Sequence, residues 1–511
     1  MQERIRRQLE IWSSKRRVAP AAALIAAVAL VGSASVGQAP QALLFPPTDS
    51  LAAVPGAIAV WQTSPSGQRL VRLPDLSFTQ VCAESGSPLL PHTAATARCA
   101  ARTPTILVDA GRRFQRIVGF GGAFNERGWV ALLSLAPDVR AGVLHALFDP
   151  VQGAGYSLAR APIGASDYAL SAYSLDDTPG DIAMRHFSIA RDRRYLLPYI
   201  QAALRIAPDL QVWGSPWSAP AWMKSNHSMV HGGRLLPRYE AAYARYLADY
   251  VQAYARQGVP IMAVSVQNEP TRAPKYPSMV MPSSQMARFV GRDLGPLFQR
   301  LGLHTAIRIN EGPSPAHWRY SLQVLADPRA RPYVAGSNIH GYYDSALDFS
   351  RLHRAYPVLD IWQTEDMNLD HAHYEYGDAT RWAAQIALDL QNWASGWDFW
   401  NMITDQTGLS SWGWRQDAVV IVDTRRHIVQ YTPKYAAMAH FSRFIRPGAQ
   451  RIATSGVPRG LVATAARDPD GRLVLVVVNR GSTTSTFTIA SGARRAQATV
   501  PGGGIATFVW R

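Results

Sequence analysis

Two glutamates in this chain stand at the ends of short apolar runs. Val264-Ser265-Val266-Gln267-Asn268-Glu269-Pro270 and Leu359-Asp360-Ile361-Trp362-Gln363-Thr364-Glu365-Asp366 are each of strand length, and each closes on a polar cluster. That is the pattern of a buried barrel strand delivering a carboxylate to its C-terminal mouth. Two carboxyls facing each other across a pocket are the minimum equipment for breaking a glycosidic bond. One, neutral, protonates the leaving oxygen, while the other, ionised, meets the charge developing at the anomeric carbon. Taken singly, each segment has a plainer reading: an Asn-Glu-Pro can cap a helix, and Glu365 can pair with a cation such as Arg381. Asp366 points to the opposite side of its strand from Glu365, so only one of the two can face a pocket.

The rest of the chain supplies elements to position them. From Phe114 onward, short apolar runs alternate with helical stretches, the rhythm of repeated βα units. Candidate strands are 116–122, 156–162, 211–215, 262–267, 305–309, 334–340, 358–364 and 398–403. Helices are expected over 191–207, 236–257, 284–301 and 379–393, with apolar residues at three- and four-residue spacing. Eight such strands predict an α/β fold, a (β/α)8 TIM barrel, whose chemistry belongs at the C-terminal strand ends. Those ends carry Arg160 and Asp167 after strand two, Trp217 after strand three, and Asn268 beside Glu269. His340 and Tyr342 follow at strand six, and Trp400 and Asn401 at strand eight. Arg160 is placed to keep a carboxylate ionised, Asn268 to donate to a sugar 2-hydroxyl, Asp167 to bind hydroxyls and Trp217 to cover a ring face.

Both ends of the chain differ from this middle. Ile58 to Thr63 and Leu70 to Leu73 read as strands about a Ser64-Pro65-Ser66-Gly67 turn, and after residue 445 alternating runs return without helices. We expect a β-sandwich side domain built from both chain ends. The division is 1–35 an export signal or N-terminal anchor, 36–55 a linker, 56–113 N-terminal strands of the side domain, 114–444 the catalytic barrel and 445–511 the C-terminal sandwich. The first segment has six basic residues by Arg17, an apolar run from Val18 to Val31, then small residues. Fourteen residues fall short of the roughly 20 that span a bilayer, so an exported protein is expected, with anchoring as the alternative.

Losing residues 1–35 lowers the formal charge from +16 to +12. The arginines are dispersed, so no nucleic-acid partner is expected, whereas a basic surface suits an anionic membrane or polymer. Cys82 and Cys99, in an exported chain, are read as a disulfide, and without paired histidines they make no metal site.

Several motifs together resemble a known family. Gly119-Phe120-Gly121-Gly122-Ala123-Phe124, Ser215-Pro216-Trp217-Ser218-Ala219-Pro220-Ala221-Trp222-Met223-Lys224, Gln267-Asn268-Glu269-Pro270 and Trp397-Asp398-Phe399-Trp400-Asn401 resemble glycoside hydrolase family 30, in its glucosylceramidase branch. The resemblance implies a retaining β-glycosidase with Glu269 as acid/base and Glu365 as nucleophile, their carboxyls about 5–5.5 Å apart. It implies that Asp167, Trp217, Asn268 and Trp400 hold the sugar, that Tyr342 lies near the nucleophile, and that no metal or organic cofactor takes part. The implied substrate is a β-glucoside, a glycolipid such as glucosylceramide, or a glucan. An endo-β-1,6-glucanase or β-xylosidase on the same fold is the runner-up, and a non-catalytic carbohydrate-binding protein would not need both glutamates. The chain departs from the branch at Gly341, where a Trp is usual, at Asp366-Met367, where a small residue and Cys are usual, and in a shorter loop from Thr271 to Ser278. The first two changes are expected at the pocket rim, and Asn226-His227-Ser228 is read as pocket architecture.

Overall fold

In the computed structural model the described residues are 44–45, 56–67, 69–80, 103–313, 316–342, 346–368 and 376–511, all within the unit 40–511. Residues 1–35, nearly all of the linker, Cys82 and Cys99 lie outside them. Among the described residues, no helix is long and apolar enough to cross a membrane.

Eight parallel strands close into a barrel: Gly119–Ala123, Leu158–Ile163, Gln211–Pro216, Ile261–Ser265, Ala306–Pro313, Val334–His340, Asp360–Glu365 and Gly396–Asn401. The first is glycine-rich because its neighbour comes so close: a Cβ on Gly121 would sit 1.9 Å from the Leu158 carbonyl oxygen. Leu158, Trp213, Ala263 and Trp362 fill the lower barrel, below the level of its C-terminal mouth. Helices such as Leu196–Ile206, Glu240–Ala255 and Gly377–Gln391 cover the outside.

The first strand starts at Gly119, not at 116, because residues Thr105–Arg116 form one long strand of the side sheet. The helix expected over 284–301 is interrupted. Ser283–Phe289 and Gly295–Arg300 flank a π-helical turn, Val290–Leu294. Pro296 has no N–H to continue the ladder, and the wider turn absorbs the misfit.

The side domain is a ten-stranded sheet running in the order 71–77, 57–63, 505–510, 473–479, 461–467, 450–455, 105–116, 485–491, 494–500, 79–80. Strands from both ends of the sequence are mixed within it, around an apolar core that includes Ile58, Ile106, Phe487 and Phe508. It is fastened to the barrel through His440, whose ring nitrogens meet Thr507 Oγ1 and Thr63 Oγ1, each at 2.8 Å. Burial pushes that imidazole down to about 3, so it serves as a neutral bridge.

Candidate active site

Glu365 is the final residue of the seventh strand, and Glu269 lies in the turn after the fourth. Glu269 adopts a left-handed φ of 41°, held by its N–H donating to the Glu311 carbonyl at 2.8 Å. A non-glycine residue in that region costs about 1–3 kcal/mol and persists only where the surroundings impose it. Here the imposed turn aims the carboxylate into the mouth. One oxygen of Glu269, one of Glu365 and a ring nitrogen of His340 all lie within 4.8 Å of one another, and both glutamates keep a sliver of exposure, 7% and 6%.

Beneath this pair sits a dry layer of charge. Arg160, fully buried, donates to Glu365 Oε2, to Asn268 Oδ1 at 2.6 Å and to Ser215 Oγ at 3.1 Å, and meets Glu311 Oε2 at 3.2 Å. Its guanidinium lies 4.4 Å from the Trp217 ring centroid. The contact to Asn268 commits the amide oxygen, which leaves the NH2 to donate to a ligand. Tyr342 Oη donates to the other oxygen of Glu365, Oε1, at 2.9 Å, and itself accepts from Gln416 at 3.1 Å.

His340 is the hub of the cluster. Its Nε2 is 2.9 Å from Glu311 Oε2 and its Nδ1 is 3.6 Å from Glu269 Oε1. Burial alone would lower this imidazole, but the charges of Glu365, Glu269 and Glu311 push it up to about 9. Burial would raise Glu269, yet the imidazolium beside it, then Arg272 and Arg160, hold its carboxyl below the usual range. Glu311 is drawn down to about 2: burial opposes, while Arg160, His340 and Asn338 outweigh it. Asp167 goes the other way, pushed well above the carboxylate range by burial and the neighbouring charge of Glu365. Its Oδ1 is buried and has no hydrogen-bond partner among the described residues, and the side chain lines the pocket. A divalent cation among Glu269, His340 and Glu365 would have to displace the positive charge of Arg160, Arg272 and the imidazolium from the same oxygens.

The pocket above is lined by Asp167, Trp217, Asn268 and Tyr342 around the two glutamates, with Arg272, Tyr276 and Trp414 at the rim. It encloses about 60 Å³. Typical ligand pockets measure about 300–1,000 Å³, so rim side chains must rotate for a sugar ring to seat. The other sequence candidates act from behind: Arg160 and His340 hold the carboxylates, and Trp400 packs on Trp217 with centroids 4.9 Å apart. Asn401 is fully buried, bonding Asn125 at 3.0 Å and Gln416 at 3.2 Å instead of lining the pocket.

Three expectations need correction. Gly341 and Met367 do not form the rim. Met367 is a buried core residue, and the space beside Gly341 is taken by Asp366, whose Oδ2 would be 2.3 Å from a Cβ there. Asn226 is exposed, its amide donating to the Val230 carbonyl at 3.0 Å, so it folds the loop and does not line the pocket. Sequence reasoning also missed Glu311, Arg272, Tyr276 and Trp414.

Residues 117–445 match the glycosyl hydrolase family 30 TIM-barrel domain, and 448–508 match that family's beta sandwich domain. The chain belongs to glycoside hydrolase family 30. This family 30 hydrolase is 30% identical over 448 residues to a putative glucosylceramidase 2 of Caenorhabditis elegans, covering 83% of each chain. It is 30% identical over 398 residues to an endo-1,6-beta-D-glucanase of Neurospora crassa, covering 73% of this chain and 80% of that one. Its fold matches the crystal structure of SrfJ from Salmonella typhimurium with a TM-score of 0.80 at 26% identity, over 89% of this chain and 99% of the other. The hydrolase is therefore a glycosidase, and the names of its relatives divide between glucosylceramidase and endo-1,6-beta-D-glucanase.

Proposed function

We propose that this hydrolase cleaves a β-glucosyl bond with retention, Glu365 serving as nucleophile and Glu269 as acid and then base. The observation that carries the reading is the approach of the two carboxylates: one oxygen of each lies within 4.8 Å of the other, which suits the about 5–5.5 Å carboxyl separation of retention better than the about 6.5–9.5 Å that leaves room for a water. In the first step Glu365 bonds to the anomeric carbon as the bond to the leaving oxygen breaks, and Glu269 supplies the proton that oxygen takes. In the second, Glu269 removes a proton from water, the water oxygen bonds to the anomeric carbon, and Glu365 departs as a carboxylate.

The charged layer supports this division of labour. Arg160 and Tyr342 donate to the two oxygens of Glu365 and orient it for attack. His340 Nδ1, 3.6 Å from Glu269 Oε1, places positive charge beside that carboxyl without a hydrogen bond, so Glu269 takes its proton through the solvent-facing mouth before the first step. Asp167 and Trp217, which line the pocket, suit the hydroxyls and the apolar face of the sugar. The basic and apolar start of the sequence supports an exported enzyme.

The test is hydrolysis of an aryl β-glucoside by the wild type and by Glu365→Gln and Glu269→Gln. Loss of general acid–base help should cost about 10²–10⁴-fold for Glu269→Gln, with Glu365→Gln at least as damaging. Activity surviving both changes would remove the assignment. First-formed product seen by NMR as the β anomer supports retention, and the α anomer refutes it.

A further inference from the structure

We infer that the leaving-group side of this site is built for a sugar and not for a lipid chain, so that the substrate is a β-linked gluco-oligosaccharide or glucan. The inference rests on the hydrolase reading above, which puts the leaving oxygen beside Glu269. Whatever surrounds Glu269 toward solvent is therefore what the leaving group meets. Three side chains do so. Arg272 reaches Glu269 Oε2 at 3.6 Å and its side chain is 46% exposed. Tyr276 Oη lies 3.5 Å from the same oxygen, and Trp414 stacks on Tyr276 with centroids 5.8 Å apart and planes 17° from parallel.

The two rings come from the loops after strands four and eight, which stand opposite each other in the closed ring. The stack consequently spans the mouth. Both loops are fixed before any ligand arrives. Ser278 N donates to the Met229 carbonyl at 2.9 Å, and Lys224 Nζ donates to the Ser278 carbonyl at 2.7 Å. Ser410 N donates to the Trp414 carbonyl at 2.8 Å, and Tyr168 Oη to the Gly408 carbonyl at 2.7 Å. The backbone beneath the aromatic wall is therefore preorganised, and the rim side chains turn upon it to admit a ring.

The chemistry of the wall selects the ligand. Flat aromatic faces take the C–H face of a pyranose, and a guanidinium and a phenol serve its hydroxyls. A sphingoid or acyl chain gains about 0.8 kcal/mol per buried CH2 only where an apolar trough receives it. Among the described residues, no aliphatic side chain lines this pocket. The roomier cavity, about 750 Å³, opens among Val118, Met262 and Val358 at the N-terminal end of the barrel, remote from the glutamates.

The experiment compares kcat/KM of the full chain on β-glucosyl fluoride, on β-linked diglucosides of each linkage, and on glucosylceramide in mixed micelles. At least one diglucoside should exceed glucosylceramide by about tenfold or more. Trp414→Ala should lower the ratio of diglucoside to fluoride kcat/KM by about tenfold, the size of one aromatic stacking contact. Tyr276→Ala, opening the wall from the other loop, should do the same. Preference for glucosylceramide, or variants that depress both substrates equally, would overturn the inference while leaving the hydrolase reading intact. A folded wild type that cleaves none of the three would remove that reading and the inference with it.

Discussion

Glu311→Gln tests the charged layer most directly, because Glu311 is buried, touches no ligand space and yet holds two cations. Its carboxyl titrates at about 2 in the folded chain against an ordinary 4.5. At ~1.36 kcal/mol per unit, the ionised form contributes about 3 kcal/mol to stability at pH 7. That agrees with the about 3–5 kcal/mol expected when one member of a buried pair is removed. The pKa is depressed, so the contribution is present above pH 4.5 and is lost as pH falls toward 2. By pH 3 less than half should remain. Urea unfolding followed by tryptophan fluorescence, at pH 7 and at pH 3, measures both quantities. The amide keeps the shape but only one acceptor oxygen, so either Asn338 or the pair His340 and Thr364 also loses its acceptor, and the lost hydrogen bond adds to the lost charge. A loss below about 1 kcal/mol at pH 7, or an equal loss at both pH values, would refute the account of Glu311 as a charged anchor.

Other outcomes follow from the same contacts. His340, raised to about 9 from 6.5, contributes stability that is full below pH 6.5 and lost as pH rises through 9. The unfolding free energy should fall between pH 6.5 and 9.5 by up to about 3 kcal/mol, a slope that His340→Gln should abolish in urea titrations. This figure overlaps that for Glu311, since the two groups share one ion pair. Lys434, fully buried, donates to Asp378 and, at 2.9 Å, to Asp417. Lys434→Met should cost about 3–5 kcal/mol in thermal or urea unfolding, by removing the cation shared by two buried acids and leaving them the Asn368 amide. Gly341→Ala should cost about 1–3 kcal/mol through its clash with Asp366, and Asp366→Ala in the same chain should recover part of it, as a double-mutant cycle would record.

The barrel was legible in the sequence because each strand is a short apolar run of the right length, and because glycines and polar clusters mark the ends. Glu311 escaped although Ile309-Asn310-Glu311 repeats the pattern that flagged Glu269 and Glu365. The run is broken by Arg308, a residue that sequence reasoning places outside a core. In the structure Arg308 is 2% exposed, its guanidinium 3.4 Å from the Trp362 ring centroid and paired with Asp360 at 2.9 Å. A buried, satisfied arginine lets the strand continue to Pro313. Gly341 was misplaced for a different reason. What fills the space beside it is Asp366, brought there by the pairing of strands six and seven, with a register shift at His340 that no local pattern encodes. Tyr276 and Trp414 lie in loops, where no periodicity marks which side chain turns inward. Their positions follow from hydrogen bonds to other loops, which are tertiary facts.

The side sheet has a consequence for how the molecule is made. Strand 505–510 lies between 57–63 and 473–479, so an interior strand of the sheet comes from residues that follow the whole barrel in sequence. Until it arrives, strand 57–63 waits through the synthesis of the entire barrel with one edge unpaired, and such an edge is a template for association with other chains. Loop-closure cost grows only slowly with the length of chain between partners, so the separation is a hazard of time more than of stability. The barrel, whose strands pair largely with their sequence neighbours, can form first and hold the waiting strand against its helices.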